Sequence, residues 1–231
     1  MNVALVDAFS RLMSGDAELL AIIALSLQVS VGATLIAAAL GLPLGASIAV
    51  TRFPGRQTII VILNALMGLP PVVIGLLVYL LLSRAGPLGN LGILFTPAAM
   101  VAAQSILIFP IVAALARQTI DDAWQEYAEQ LRSLGVGPWQ AALTLLWDTR
   151  ITLVTVILAG FGRAIAEVGA VMVVGGNIEG VTRVMTTAIA LETSRGDLSM
   201  ALALGMVLIA LVIVLNALTH LVKETAGKRY G

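Results

Sequence analysis

RQTIDDAWQEYAEQLRSLGVGPWQAALTLLWDTR, residues 117–150, is the one long polar stretch of this chain, and its reading decides the fold. The runs on either side are apolar enough to lie in a bilayer. A chain of that kind keeps a structured loop in water as a docking surface. The loop has helix grammar. Asp121 or Asp122 is expected to cap a helix N-terminus, where a carboxylate meets orphan N–H groups. Trp124, Tyr127, Leu131 and Leu134 recur at three- and four-residue steps and form one apolar stripe. Gly135 is expected to end that helix in a left-handed turn. Gly137-Pro138 restarts the chain, since proline fits a first helical turn. Trp139 to Trp147 then reads as a second short helix, which leaves an elbow at Gly135 to Pro138.

The composition agrees with a membrane protein. The chain has 231 residues, 59% hydrophobic and only 11% charged, with a mean hydropathy of +1.02. A soluble domain carries about 25% charged residues, so this exterior is not built for water. Thirteen basic and thirteen acidic residues give a formal charge of zero, without the basic excess that nucleic acid attracts. Cysteine is absent, which excludes disulfides, thiolate metal sites and cysteine nucleophiles. His220 is the single histidine, so a multi-histidine metal site is excluded. No cofactor is expected. The motifs of serine hydrolases, zinc proteases and P-loop ATPases are missing, so no enzyme signature is expected and energy from ATP would have to come from another chain.

About 20 apolar residues cross a bilayer. Five spans are expected: 19–50, 58–82, 98–116, 151–174 and 198–222. Residues 1–17 read as an external interfacial helix, 18–222 as the transmembrane domain with the loop 117–150, and 223–231 as a basic tail. Arg52, Arg56, Arg117, Arg132, Arg150, Lys223, Lys228 and Arg229 fall on one side; Arg11, Arg84, Arg183 and Arg195 fall on the other. The positive-inside bias predicts a multi-pass inner (plasma) membrane protein with its N-terminus outside and its C-terminus in the cytoplasm.

Several residues inside or between the spans could line a path. Arg163 and Glu167, four apart, lie on one helical face. They form either a neutralised structural pair or an electropositive lining for an anion. Pro70 and Pro71 interrupt the second span, where freed backbone must be satisfied by protein or cavity water. Gly160, Gly162, Ala164, Ala166, Gly169 and Ala170 allow close helix approach, within the chain or to a second copy. Gly175-Gly176-Asn177 favours a tight turn. Asn177, Thr182 and Arg183 follow there as possible donors to oxyanion oxygens, or as parts of a plain external loop.

The run Glu129-Gln-Leu-Arg-Ser-Leu-Gly135 resembles the EAA loop of ABC importer permeases. Gln130 and Leu131 stand in place of its alanines, and Trp147-Asp148 in place of its usual Leu-Pro ending. Further motifs follow in order along the chain: Arg52-Phe-Pro-Gly-Arg56, Leu69-Pro-Pro-Val-Val-Ile-Gly75, Arg163-Ala-Ile-Ala-Glu-Val-Gly-Ala170 and Gly176-Asn-Ile-Glu-Gly-Val-Thr-Arg183. The succession is similar to the molybdate, tungstate and sulfate branch, and to tungstate permeases most. The resemblance implies an all-α fold of about five transmembrane helices, of the type I importer (MetI-like) class. It implies a homodimer in membrane lipid that forms the path for an oxyanion, and an external substrate-binding protein. It also implies ATP-binding ABC subunits docked in the cytoplasm on Glu129, Leu134, Gly135, Val136, Gly137, Pro138 and Trp139. A molybdate or sulfate permease, or a stand-alone channel or ion-coupled carrier, remains the alternative.

Overall fold

A computed structural model describes residues 2–230, with side chains placed for residues 4–224. The described residues form ten α-helices: α1 (Asn2–Ser14), α2 (Ala17–Val50), α3 (Arg56–Met67), α4 (Pro71–Leu82), α5 (Pro97–Ser133), α6 (Pro138–Asp148), α7 (Arg150–Ile165), α8 (Gly169–Gly175), α9 (Met185–Arg195) and α10 (Leu198–Tyr230). Among the described residues there is no strand. Helices α2, α5 and α10 are each long and apolar enough to cross a bilayer, and there are up to five spans if each of two bent pairs, α3–α4 and α6–α7, counts as one.

The helices gather into two compact units that interleave along the sequence. One holds Met1–Ala33, Pro70–Gln104 and Gly162–Leu215; the other holds Thr34–Leu69, Ser105–Phe161 and Asn216–Gly231. In lipid, helices gain little from hydrophobic transfer and associate through close packing of small residues. Both units show this. In the first, α4 lies so near α8 that a Cβ on Gly75 would stand 2.9 Å from Ala170 Cα. In the second, a Cβ on Gly45 of α2 would stand 2.6 Å from the Ala113 carbonyl of α5. Gly160 faces Ile108 and Val112 in the same way. The small-residue steps at 160–170 are therefore used at least in part inside this chain.

Three expectations are corrected. No helix starts at Asp121 or Asp122, because α5 runs unbroken from the third apolar run into the polar loop. Continuing the helix keeps each N–H paired, and Asp121 spends its charge on Arg56 and Arg117 instead, at 3.0 and 3.5 Å. The span expected at 151–174 is broken at residues 166–168, between α7 and α8. Residues 175–197 are not a plain loop but contain α9, with Met185, Thr186, Thr187 and Ala188 buried. The tail 223–230 continues α10. Residue 231 and the side chains of Lys228 and Arg229 lie outside the described ones.

Candidate functional site

The elbow belongs to the second unit. Helix α5 ends in a paired C-terminal turn: Val136 N–H donates to Leu131 O at 3.0 Å and Gly135 N–H to Arg132 O at 3.0 Å. That six-to-one and five-to-two pattern requires a left-handed residue just past the helix. Gly135 supplies it with φ of +70°. A Cβ there would meet nothing within 4 Å, so the glycine serves backbone conformation alone. Gly137 is extended, its N–H reaches Gln140 Oε1 at 3.4 Å, and Pro138 opens α6. Helix α6 buries Ala141, Ala142 and Leu145. Its other side leaves large apolar groups in the open, with Trp139 63% and Trp147 71% exposed, beside Leu134 at 76%. Glu129 is exposed, and Val136 and Gly137 are half-buried.

Cationic groups brace the elbow. Arg132 stands over the Trp124 ring, 5.3 Å from its centroid, and Arg150 over the Trp147 ring at 4.7 Å. Arg56, the first residue of α3, donates to Ile48 O at 2.8 Å and Ala49 O at 3.4 Å, two orphan carbonyls at the end of α2. It also holds Asp121 of α5. The chain thus presents an unpartnered apolar knuckle on a tied base. A monomer gains nothing from such a surface, whereas a second protein with a matching groove does.

The polar groups of the first unit do the opposite and turn inward. Arg163 Nη1 meets Glu167 Oε2 at 2.6 Å; the carboxylate is 3% exposed and the arginine 37%. Glu167 is more than the arginine's partner. Its other oxygen accepts Ala170 N–H at 3.1 Å, and its carbonyl accepts Thr186 Oγ1–H at 2.7 Å. Ala164 O, freed where α7 stops, accepts Glu167 N–H and also Gln104 Nε2–H at 3.0 Å. The break at 166–168 is therefore a joint tied by side chains of α5 and α9. Pro70 is extended and caps α4, its carbonyl accepting Val73 and Ile74 N–H, while Pro71 opens that helix. A Cβ on Gly169 would lie 2.6 Å from Val72 Cγ2, which places the joint against the start of α4.

Beyond the joint, Gly176 and Asn177 both have positive φ, +70° and +50°. Thr182 Oγ1 closes the turn, donating to Gly175 O at 2.6 Å and accepting Ile178 N–H at 2.9 Å. Asn177 Nδ2 reaches Thr187 O at 3.4 Å. Arg183 is 5% exposed. Three carboxylates surround it: Glu18 and Glu179 at 3.4 Å and Glu192 at 3.9 Å. Its positive charge is already matched from inside the chain. Arg163, with one carboxylate and more exposure, keeps more of its field.

Sequence reading missed Gln104, Glu18, Glu192 and the bond of Arg56 to Asp121. A lone amide in the apolar run 98–116 was the available signal for Gln104, because a polar group in hydrocarbon must find a partner. Among the described residues no group of three or more acidic or histidine ligands could hold a metal.

Over residues 41–228 the chain matches the family described as binding-protein-dependent transport system inner membrane component. It is 41% identical to a tungstate uptake system permease protein of Peptoclostridium acidaminophilum, over 94% of this chain and 95% of that one. To a probable anion ABC transporter permease protein of Haloferax volcanii it is 38% identical, over 92% and 94%. A molybdenum transport system permease protein of Escherichia coli is 29% identical, over 88% and 95%.

Proposed function

The chain belongs to the family of binding-protein-dependent transport inner membrane components, and from that premise we propose that it is the permease subunit of an ATP-driven tungstate importer. It is a transport subunit, working with ATP-binding subunits and a substrate-binding protein, and it is a multi-pass inner membrane protein. The observation that carries the tungstate reading is the 41% identity to a tungstate uptake permease over nearly the full length of both chains. The 29% identical molybdenum permease keeps the same architecture with a different oxyanion as the second reading.

In this proposal the elbow from Glu129 to Trp139 receives the ATPase on the cytoplasmic side. ATP binding moves the ATPases, the elbow moves with them, and the path changes the side to which it opens. The path forms between two copies of the chain in lipid, with the N-terminus outside and the C-terminus in the cytoplasm. Arg163 faces the passing anion with weak electrostatic attraction, since tight binding would stop release. Pro70, Pro71 and Glu167 hold the backbone around it, and Asn177, Thr182 and Arg183 hold the outer turn.

The test is uptake of radiolabelled tungstate into proteoliposomes carrying the permease, its ATPase and the loaded binding protein. ATP-dependent uptake that excess molybdate and sulfate fail to displace is the expected result. Equal competition by molybdate moves the cargo to the second reading. Uptake that proceeds without an ATPase replaces the importer with a carrier or channel.

A further inference from the structure

Gln104 on α5 carries an unresolved account. Its amide orientation is fixed, because Nε2 must face the Ala164 carbonyl, which only a donor can satisfy. That leaves Oε1 pointing elsewhere. The residue is 3% exposed, and no donor among the described residues reaches Oε1. A buried acceptor without a partner costs about 1–3 kcal/mol, and more where hydrocarbon surrounds it.

Gln104 lines a small cavity together with Ser26, Ser30, Glu167 and Thr186 and the apolar walls Val29, Ile165 and Val184. The space, about 10 Å³, is that of a single water molecule. A buried water needs two to four polar partners. The cavity supplies them. Gln104 Oε1 takes one hydrogen. The Glu167 carboxylate has capacity left after Arg163 and Ala170, since an ionised carboxylate accepts about four hydrogen bonds. Thr186 Oγ1 already donates its hydrogen to Glu167 O and so can only accept further. Every nearby group described so far wants a hydrogen, and water brings two.

We propose that this cavity is a binding site for one water molecule, which donates one hydrogen to Gln104 Oε1 on α5 and the other to the Glu167 carboxylate at the break between α7 and α8. The helix break is then held by two bonds from one side chain, one direct to Ala164 O and one through the water. A monovalent cation is disfavoured as occupant, because Arg163 already neutralises the only carboxylate in the wall. The inference rests on the fold and not on which oxyanion is carried.

Radiolytic hydroxyl-radical labelling of the purified permease in nanodiscs tests it, since a buried water generates radicals where bulk solvent does not reach. Ile165 and Val184 are expected to label well above Val78 and Leu153, which are equally buried but do not line the cavity. Gln104→Met removes the anchoring acceptor and is expected to abolish the excess labelling. Val29→Ile keeps all the cavity's hydrogen bonds, adds a methyl group to the wall, and is expected to lower the labelling while the protein remains folded. Labelling of Ile165 and Val184 at the level of Val78 and Leu153 in the wild-type chain overturns the proposal. So does excess labelling that survives both variants. Labelling or a melting temperature that changes when sodium replaces choline overturns water as the occupant.

Discussion

The elbow at 134–139 and the joint at 163–187 are both places where helices stop, and they stop for different reasons. At the elbow the backbone turns on Gly135, with empty space where a side chain would go. At the joint the helices stop under glycines with no room at all: Gly75 over Ala170, Gly169 over Val72. The elbow shows bulky apolar groups outward, whereas the joint folds its charges inward. One glycine therefore serves a left-handed turn and the others serve approach. The difference teaches that a glycine is read by what stands where its side chain would be.

The sharpest way to break the comparison is to unbalance the inward charges. Arg183→Gln leaves Glu18, Glu179 and Glu192 without their shared cation. Removing one partner of a buried ion pair costs about 3–5 kcal/mol. Two of these carboxylates are more than half exposed and Arg195 still meets Glu192 at 3.0 Å, so the lower end, about 3 kcal/mol, is expected. Thermal melting in detergent reads it. A melt like the wild type's would mean that the carboxylates tolerate one another, and that the cluster is not what closes the segment 176–195.

A smaller effect is expected from Gly75→Val. Its Cβ would press on the backbone of Ala170, which cannot rotate away, so overpacking costs about 1–3 kcal/mol. Truncating Val173, whose Cβ stands 3.2 Å from the same point, does not restore stability, because the obstacle is main chain. Recovery in the double variant would show that side chains set the spacing.

Gly135→Val is milder for the fold and severe for assembly. A left-handed conformation costs a residue with a Cβ about 1–2 kcal/mol, and a β-branched one tolerates it worst. The permease is expected to insert and fold but to lose its ATPase on affinity purification. Retention of the ATPase would detach the turn from docking. Smallest of all for stability is Trp139→Ala, within about 0.5 kcal/mol as for most exposed sites. Its ATPase affinity is nevertheless expected to fall, measured by titration in nanodiscs. If affinity holds, the exposed apolar knuckle is not the contact.

Much of the elbow was legible because its chemistry is local. A glycine after an amphipathic run and a glycine–proline pair specify their own dihedrals. The expectation for Asp121 failed because its partner, Arg56, is 65 residues away and no local pattern reveals it. The break at 166–168 was invisible for another reason. Residues 151–174 are apolar enough to span in one piece, and what stops α7 is Gln104 and Thr186, supplied from α5 and α9. Arg183 reads from sequence as an anion donor or a loop charge on the same grounds, since Glu18 and Glu192 enter only once the chain is folded. Three of the expected spans, those of α2, α5 and α10, were readable from hydropathy as long apolar helices, whereas the stretches 58–82 and 151–174 are each divided between two helices.

The bond between Glu18 and Arg183 has a consequence for biogenesis. The two residues are 165 positions apart. At roughly 5–20 residues per second of synthesis, the acid waits about 8–33 s for its base. The first long helix thus enters the bilayer with its terminal carboxylate still held in water by hydration alone. A chain arrested before Arg183 keeps an unclaimed glutamate, and a finished one does not.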